Sequence, residues 1–414
     1  MRLVRALRRT ARDVLLTSQL PPLLDRTRVV RRLARTPRTP RAHVLLAAPG
    51  GGNIGDQALA EAFLESTTGP VVVVTRGPGD VEVPAWAADR VEVVPLPALV
   101  YGTGKKHRDA LDRFADLLAE ASDVSVVGAD VMDGRYSLRA SVNRASLAHA
   151  AAAAGVPARI LGFSWNASPR AAARIAVTRA SRAGVLTLLR DPASARRASA
   201  DGVPEVRETA DIVFAARTVA EPPADALAGV NAPFALVNVS GLIGKGVDQA
   251  EEYVRVVGHL RATGHHVVLL PHVSRPGADD MTACTAILER FAGDDGVTLV
   301  RRLLAPAEIR GLTARAALTV TGRMHLAIMS LWNGTPAVTL ATQGKVEGLM
   351  EMLGTPELCV EPRPGFGAAV VEVVDAVRPE DSRVRAAIAA ALPAVLERAA
   401  RNTEGLAAPV PAVA

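Results

Sequence analysis

From residue 44 onward, short β-branched apolar runs alternate with longer stretches of helical period, and few folds accept that alternation. Runs at 44–48, 71–75, 91–94, 124–127, 159–163 and 185–189 read as strands. Helical periods at 56–64, 108–121, 137–154 and 169–182 lie between them, and Gly155 and Pro157 stop the alanine-rich one. Pro222, Pro223 and Pro233 interrupt the pattern near 220–233. It then resumes, with strands at 235–239, 266–270, 298–300, 317–321 and 337–340. The helices of this half fall at 248–263, 279–291, 306–314, 324–332 and 346–353. The expectation is an α/β chain of two Rossmann-like, doubly wound domains, 43–232 and 233–380, facing each other across a cleft. Residues 1–42 read as a basic amphipathic arm and linker, and 381–414 as a C-terminal helix with a frayed tail.

Charge separates the arm from the body. Residues 1–41 hold twelve Arg against two Asp, whereas the whole chain of 414 residues carries only +6. The remainder is therefore mildly acidic, and the basic character belongs to the N-terminal segment. Arg2, Arg5, Arg8, Arg9 and Arg12 share one helical face and Leu3, Val4, Leu7, Val14 and Leu15 the other. That pattern suits an anionic membrane surface or a helix docked on its own protein. No run reaches the roughly 18 apolar residues of a membrane-spanning helix, and the short apolar run at 14–16 does not resemble a signal peptide. Aromatics are 3% of residues, too few for the stacking that accompanies nucleic-acid binding, so nucleic acid is not an expected partner. Cys284 and Cys359 are too few for a disulfide framework or a four-cysteine zinc site and read as small core residues. A cytoplasmic protein, peripheral on the inner face of the membrane, is expected.

Four strand ends carry chemistry. The first strand runs into Gly50-Gly51-Gly52-Asn53-Ile54-Gly55-Asp56 before a helix. There, glycines let backbone amides approach an anion, or simply make a tight turn capped by Asp56. Asp130 and Asp133 follow the 124–127 strand, either as acid–base groups or as a capped turn. Arg190-Asp191 closes the 185–189 strand, either as an anion-binding fork or as an Arg–Asp pair at a helix start. Arg323, Met324 and His325 follow the 317–321 strand, and Lys345 lies beyond the next. A guanidinium, an imidazole and an ammonium so grouped favour function over structure.

These segments, with Asp211…Phe214 and Pro336…Lys345…Gly348, occur in an order that resembles the polysaccharide pyruvyl transferase family across roughly residues 44–355. The resemblance implies a fold similar to two-domain GT-B glycosyltransferases. It also implies transfer of the enolpyruvyl group of phosphoenolpyruvate onto a sugar of a cell-surface polysaccharide or its lipid-linked precursor. The product is a pyruvate ketal, and phosphate is released. Ala129 departs from the family's usual glycine, and Gln343 from its usual aromatic. By this resemblance Arg190, Arg323, Met324, Lys345, Gly52, Asn53 and Gly55 bind substrate. His325, Asp56, Asp130 and Asp133 carry the proton transfers, with no metal and no cofactor beyond the co-substrate.

Two rival readings use the same residues. One is a GT-B-type glycosyltransferase taking a nucleotide sugar, with Glu347 or Glu351 on the ribose. The other is a catalytically dead carbohydrate-binding or scaffold protein, for which retention of Arg323, His325 and Lys345 has no reason.

Overall fold

The computed structural model describes residues 13–230, 233–245, 247–277, 279–341 and 344–406. The predicted Arg2–Arg12 helix and Gln343 lie outside them. Two compact units are present. One takes the chain up to Pro49, Phe63–Ile212 and the chain from Arg398; the other takes Gly50–Ala62 and Val213–Glu397.

The first unit holds seven parallel strands: β1 (Ala42–Leu46), β2 (Val71–Thr75), β3 (Val91–Pro95), β4 (Ala121–Ala129), β5 (Ala158–Phe163), β6 (Leu186–Leu189) and β7 (Val206–Glu208). The second holds six: β8 (Phe234–Asn238), β9 (His266–Leu269), β10 (Val297–Leu299), β11 (Leu318–Thr321), β12 (Ala337–Leu340) and β13 (Cys359–Val360). Their orders are β3-β2-β1-β4-β5-β6-β7 and β10-β9-β8-β11-β12-β13. Each sheet thus reverses direction once, between β1 and β4 and between β8 and β11. At such a reversal the neighbouring connections leave on opposite faces, and a crevice opens beyond the carboxyl ends. The central strands β1, β8, β11 and β12 are buried along their whole length, as strands covered on both faces must be.

Two boundaries move from their predicted positions. The glycine loop at 50–62 belongs with the second unit, and the split falls at 212/213 rather than 232. The segment after Ile212 is tied to that unit: Ala220 N–H donates to Ala307 (3.1 Å), and Arg310 Nε donates to the Thr218 carbonyl (2.7 Å). The last helix, Arg383–Ala400, begins in the second unit, where Arg385 donates to the Ala317 carbonyl at 2.7 Å. After Arg398 the chain belongs to the first unit, where the Asn402 carboxamide accepts from Gly162 N–H (2.8 Å) and donates to the Ala210 carbonyl (2.9 Å).

Within residues 1–42, read as arm and linker, residues 20–33 are docked on the first unit. Leu20–Leu33 is a helix with Pro at its first turn, and its Pro22, Val29 and Leu33 are buried. It packs on the helices Gly104–Ala119 and Leu138–Ala153. Arg28 forks onto Asp112 (2.7 and 2.6 Å) and Arg32 onto Asp116 (2.6 and 2.9 Å). The predicted linker is likewise bonded, with Thr39 N–H on the Ala119 carbonyl at 2.9 Å.

Ala129 ends β4 at φ +43°, in the left-handed region, where a Cβ costs about 1–2 kcal/mol. Ala129→Gly removes that strain at the cost of a more flexible unfolded chain. Denaturant unfolding should show Ala129→Gly equal to the parent or up to about 1 kcal/mol more stable; a loss of similar size would show that the methyl packing outweighs the strain.

Candidate functional site

In the second unit the site grows from the crevice between β8 and β11. β8 ends on Asn238, which is fully buried. Its Nδ2 donates to the Leu270 carbonyl and to Asp280 Oδ2, both at 3.0 Å, and its Oδ1 accepts from the Thr321 hydroxyl at 3.2 Å. Thr321 in turn accepts from Arg323 N–H at 2.9 Å, which sets the turn between β11 and the helix Met324–Trp332. Arg323 and His325 therefore stand at the carboxyl end of β11, with Met324 buried between them.

Asp280, which sequence reasoning passed over, is the hub. It is fully buried and opens the helix Asp280–Arg290. Its two oxygens accept six hydrogen bonds. Asn238 Nδ2, Gly241 N–H (2.9 Å), His272 N–H (3.2 Å) and Val273 N–H (3.1 Å) supply four, and Arg323 supplies two, from Nη2 at 2.6 Å and Nε at 3.1 Å. A buried carboxylate needs both a countercharge and full hydrogen bonding. Arg323 gives the first, and the chain around 238–241 and 272–273 gives the rest. The Nε–Nη2 edge of Arg323 is consequently taken up by Asp280.

The glycine loop is pinned to the same framework. Ile54 N–H donates to the His272 carbonyl (3.2 Å), Ser274 N–H donates to the Gly52 carbonyl (2.8 Å), and Asn53 bridges Val273. Asn53 N–H reaches the Gly50 carbonyl at 2.7 Å and Gly55 N–H reaches Asn53 Oδ1 at 3.1 Å, while Asn53 Nδ2 donates to Asp56 Oδ2 at 2.7 Å. Amides 53, 54 and 55 thus already have acceptors, and of the two readings of the glycine spacing, an anion cradle or a tight turn, these bonds build the turn. The glycines serve close approach. A Cβ on Gly55 would lie 2.2 Å from His325 Nδ1, and one on Gly52 would lie 2.1 Å from the Ser274 carbonyl oxygen. The loop rests directly on the imidazole.

A second histidine lies near the first. His272 is 1% exposed, and neither ring nitrogen has a hydrogen-bond partner among the described residues. Burial holds its pKa well below the usual histidine range, and the neighbouring His325 and Arg323 side chains push it further down. It is a neutral imidazole in a cationic corner. Its signal in the sequence was Pro271-His272 directly after a strand, but nothing local connects it to residues some fifty positions on. Lys345 opens the helix Lys345–Leu353 after Gly344, which adopts φ +70°.

The other predicted residues lie in the first unit. Arg190 and Asp211 form a buried pair (2.8 Å, each side chain 1% exposed), and Arg190 Nε also donates to the Ser164 hydroxyl at 2.8 Å. The partner is Asp211 and not the adjacent Asp191, which caps the helix Pro192–Ala200 by accepting from Ser194 N–H at 2.7 Å. Asp133 is buried and accepts from Arg135 N–H at 2.9 Å. Its pKa is raised, chiefly by burial and further by the charge of Asp130. Asp130 is partly exposed and accepts from the Tyr136 hydroxyl at 3.2 Å. Among the predicted residues, the structure thus gathers Gly52, Asn53, Gly55, Asp56, Arg323, Met324 and His325 in one unit, and holds Asp130, Asp133 and Arg190 in the other.

Among solved structures, the fold resembles a putative UDP-N-acetylglucosamine 2-epimerase from Listeria monocytogenes (TM-score 0.54, 10% identity, 88% of this chain and 94% of that one). It also resembles the UDP-GlcNAc 2-epimerase from Neisseria meningitidis bound to UDP-GlcNAc (TM-score 0.54, 10% identity, 87% and 97%). A third similar structure is an Anabaena protein in complex with UDP and glucose (TM-score 0.51, 15% identity, 86% and 95%). At these identities the likeness is one of fold, the GT-B type. None of the curated proteins compared matches the chain. The family model for polysaccharide pyruvyl transferase, by contrast, matches residues 53–344, from the loop that rests on His325 to the residue before Lys345. This chain belongs to the polysaccharide pyruvyl transferase family.

Proposed function

We propose that the protein transfers the enolpyruvyl group of phosphoenolpyruvate to two hydroxyls of a sugar, in a cell-surface polysaccharide or its lipid-linked precursor. The observation that carries this reading is the Arg323–His325 turn, anchored by Asp280 and covered by the Gly52–Gly55 loop, inside the family match. In this scheme a proton adds to the methylene carbon of the donor, and a sugar hydroxyl attacks the resulting oxocarbenium-like carbon. Phosphate leaves, and a second hydroxyl closes the ketal. Of the two hydroxyl protons, one balances the new methyl group and the other leaves with phosphate. Fixed donors oriented before the reaction lower the cost of the charge that develops.

Within the proposal, His325 delivers the proton to carbon or holds the phosphate, and Lys345 and the Nη1 side of Arg323 face donor charge. Asp56 receives a hydroxyl proton. Asp130, Asp133 and Arg190, which lie in the first unit, are assigned no step in this scheme. No metal or organic cofactor is assigned.

The test is phosphate release from phosphoenolpyruvate, measured with and without candidate sugar acceptors, and mass analysis of the product. The expected product is heavier than the acceptor by one pyruvate less one water, with one phosphate released per product. Transfer from a nucleotide sugar, with no phosphate released from phosphoenolpyruvate, would replace this reading by the glycosyltransferase one. Carbohydrate binding without either turnover would support the scaffold reading.

A further inference from the structure

Nine large apolar side chains stand exposed among the described residues, and five of them fall within residues 14–24. They are Val14 (65%), Leu15 (50%), Leu20 (51%), Leu23 (42%) and Leu24 (61%). Scattered exposed leucines are ordinary, but a concentration of this kind on one short stretch marks a surface that meets something apolar. In the helix Leu20–Leu33 the spacing puts Leu20, Leu23, Leu24, Thr27 and Arg31 on one side. The opposite side buries Pro22, Val29 and Leu33. The apolar row is therefore the outer face of a helix whose inner face is already seated.

The arginines sort in the same way. Arg28 and Arg32 are bound to Asp112 and Asp116, and Arg26 donates to His149 Nε2 at 2.9 Å. The local acids are also engaged, Asp13 with Arg170 at 2.6 Å and Asp25 with His107 at 3.0 Å. Arg31 and Arg35 have no partner among the described residues, and with Thr27 they line a groove beside Leu24. That groove, also lined by Arg28, Arg32 and Asp112, whose carboxylate is bound to Arg28, sets the Arg31 and Arg35 guanidinium groups beside an apolar edge. Its chemistry matches a phosphate headgroup above acyl chains.

We propose that the exposed side chains of Val14, Leu15, Leu20, Leu23 and Leu24, with Thr27, Arg31 and Arg35, dock on an anionic phospholipid bilayer. The leucines enter the headgroup boundary and the two arginines meet lipid phosphate. The inference is independent of the transfer reaction and rests on exposure and charge alone. It moves the membrane contact from the arginine count of residues 1–41 to a few named side chains, because much of that charge serves the fold.

The test uses the full chain and co-sedimentation with vesicles of phosphatidylcholine alone or mixed with phosphatidylglycerol. The parent should bind the mixed vesicles and release as salt rises, since each exposed arginine contributes through a screened field. Arg31→Glu/Arg35→Glu should weaken binding by about tenfold or more, on the basis of roughly 1 kcal/mol per basic group near the surface. Leu20→Ser/Leu23→Ser/Leu24→Ser should abolish stable association. Both variants alter exposed side chains with no described partner, so thermal unfolding should match the parent. Failure of the parent to bind mixed vesicles at low salt overturns the proposal, as does undiminished binding by both variants. So does concentration-dependent self-association of the parent that the triple variant loses, which would assign the face to a second copy.

Discussion

Asp280→Ala should be the most destabilising single substitution in the second unit. It removes the acceptor for four N–H donors of the surrounding chain and leaves the Arg323 guanidinium, whose side chain is 11% exposed, without its countercharge. Breaking one side of a buried pair costs about 3–5 kcal/mol. Against a total stability of about 5–15 kcal/mol, that is enough to unfold part of the population. Asp280→Asn keeps the shape and part of the acceptor capacity, so it should fall between the parent and the alanine variant. Denaturant unfolding of the two variants, with Arg323→Met alone and combined with Asp280→Ala, measures the coupling. The double variant should be less destabilised than the sum of the singles, because it removes the orphaned charge. If Asp280→Ala unfolds within about 1 kcal/mol of the parent, the six hydrogen bonds do not form the framework described.

For activity, the largest effect is expected at His325. If it delivers a proton to the donor's methylene, His325→Gln should lower kcat by about a hundredfold or more with a smaller change in KM for phosphoenolpyruvate. Glutamine keeps a hydrogen-bonding end but titrates at no accessible pH, so the pH–rate profile should also lose one limb. Unfolding curves should change little, which separates this variant from those at Asp280. A raised KM with kcat and the pH profile intact would make His325 a phosphate ligand only. The proton would then fall to Asp56 or water.

Parts of the molecule were legible because they repeat a local rule. Eleven of the thirteen strands among the described residues follow from apolar runs between helical periods, and the run at 71–75 is reproduced to the residue as β2. β7 and β13 were not seen. They are edge strands of three and two residues, Val206–Glu208 and Cys359–Val360, too short to show any period. The helix Leu20–Leu33 was missed for a different reason. Pro21-Pro22 reads as a break, yet proline fits the first turn of a helix because no amide there needs a partner.

The sequence by itself determined the two alternating α/β halves and the turn that sets Arg323 two residues before His325, because these depend on neighbours along the chain. It also carried the family resemblance, through motifs of a few residues each. Only the tertiary structure decided which charges meet. Arg323 pairs with Asp280, forty-three positions away, and Arg190 pairs with Asp211 rather than its neighbour Asp191. His272 is brought near His325, and the glycines at 52 and 55 prove to be places where a side chain would collide with Ser274 and His325. The physical reason is that a buried charge takes whichever partner the closed sheet presents to it, and that partner is chosen by strand order and burial, not by distance along the chain.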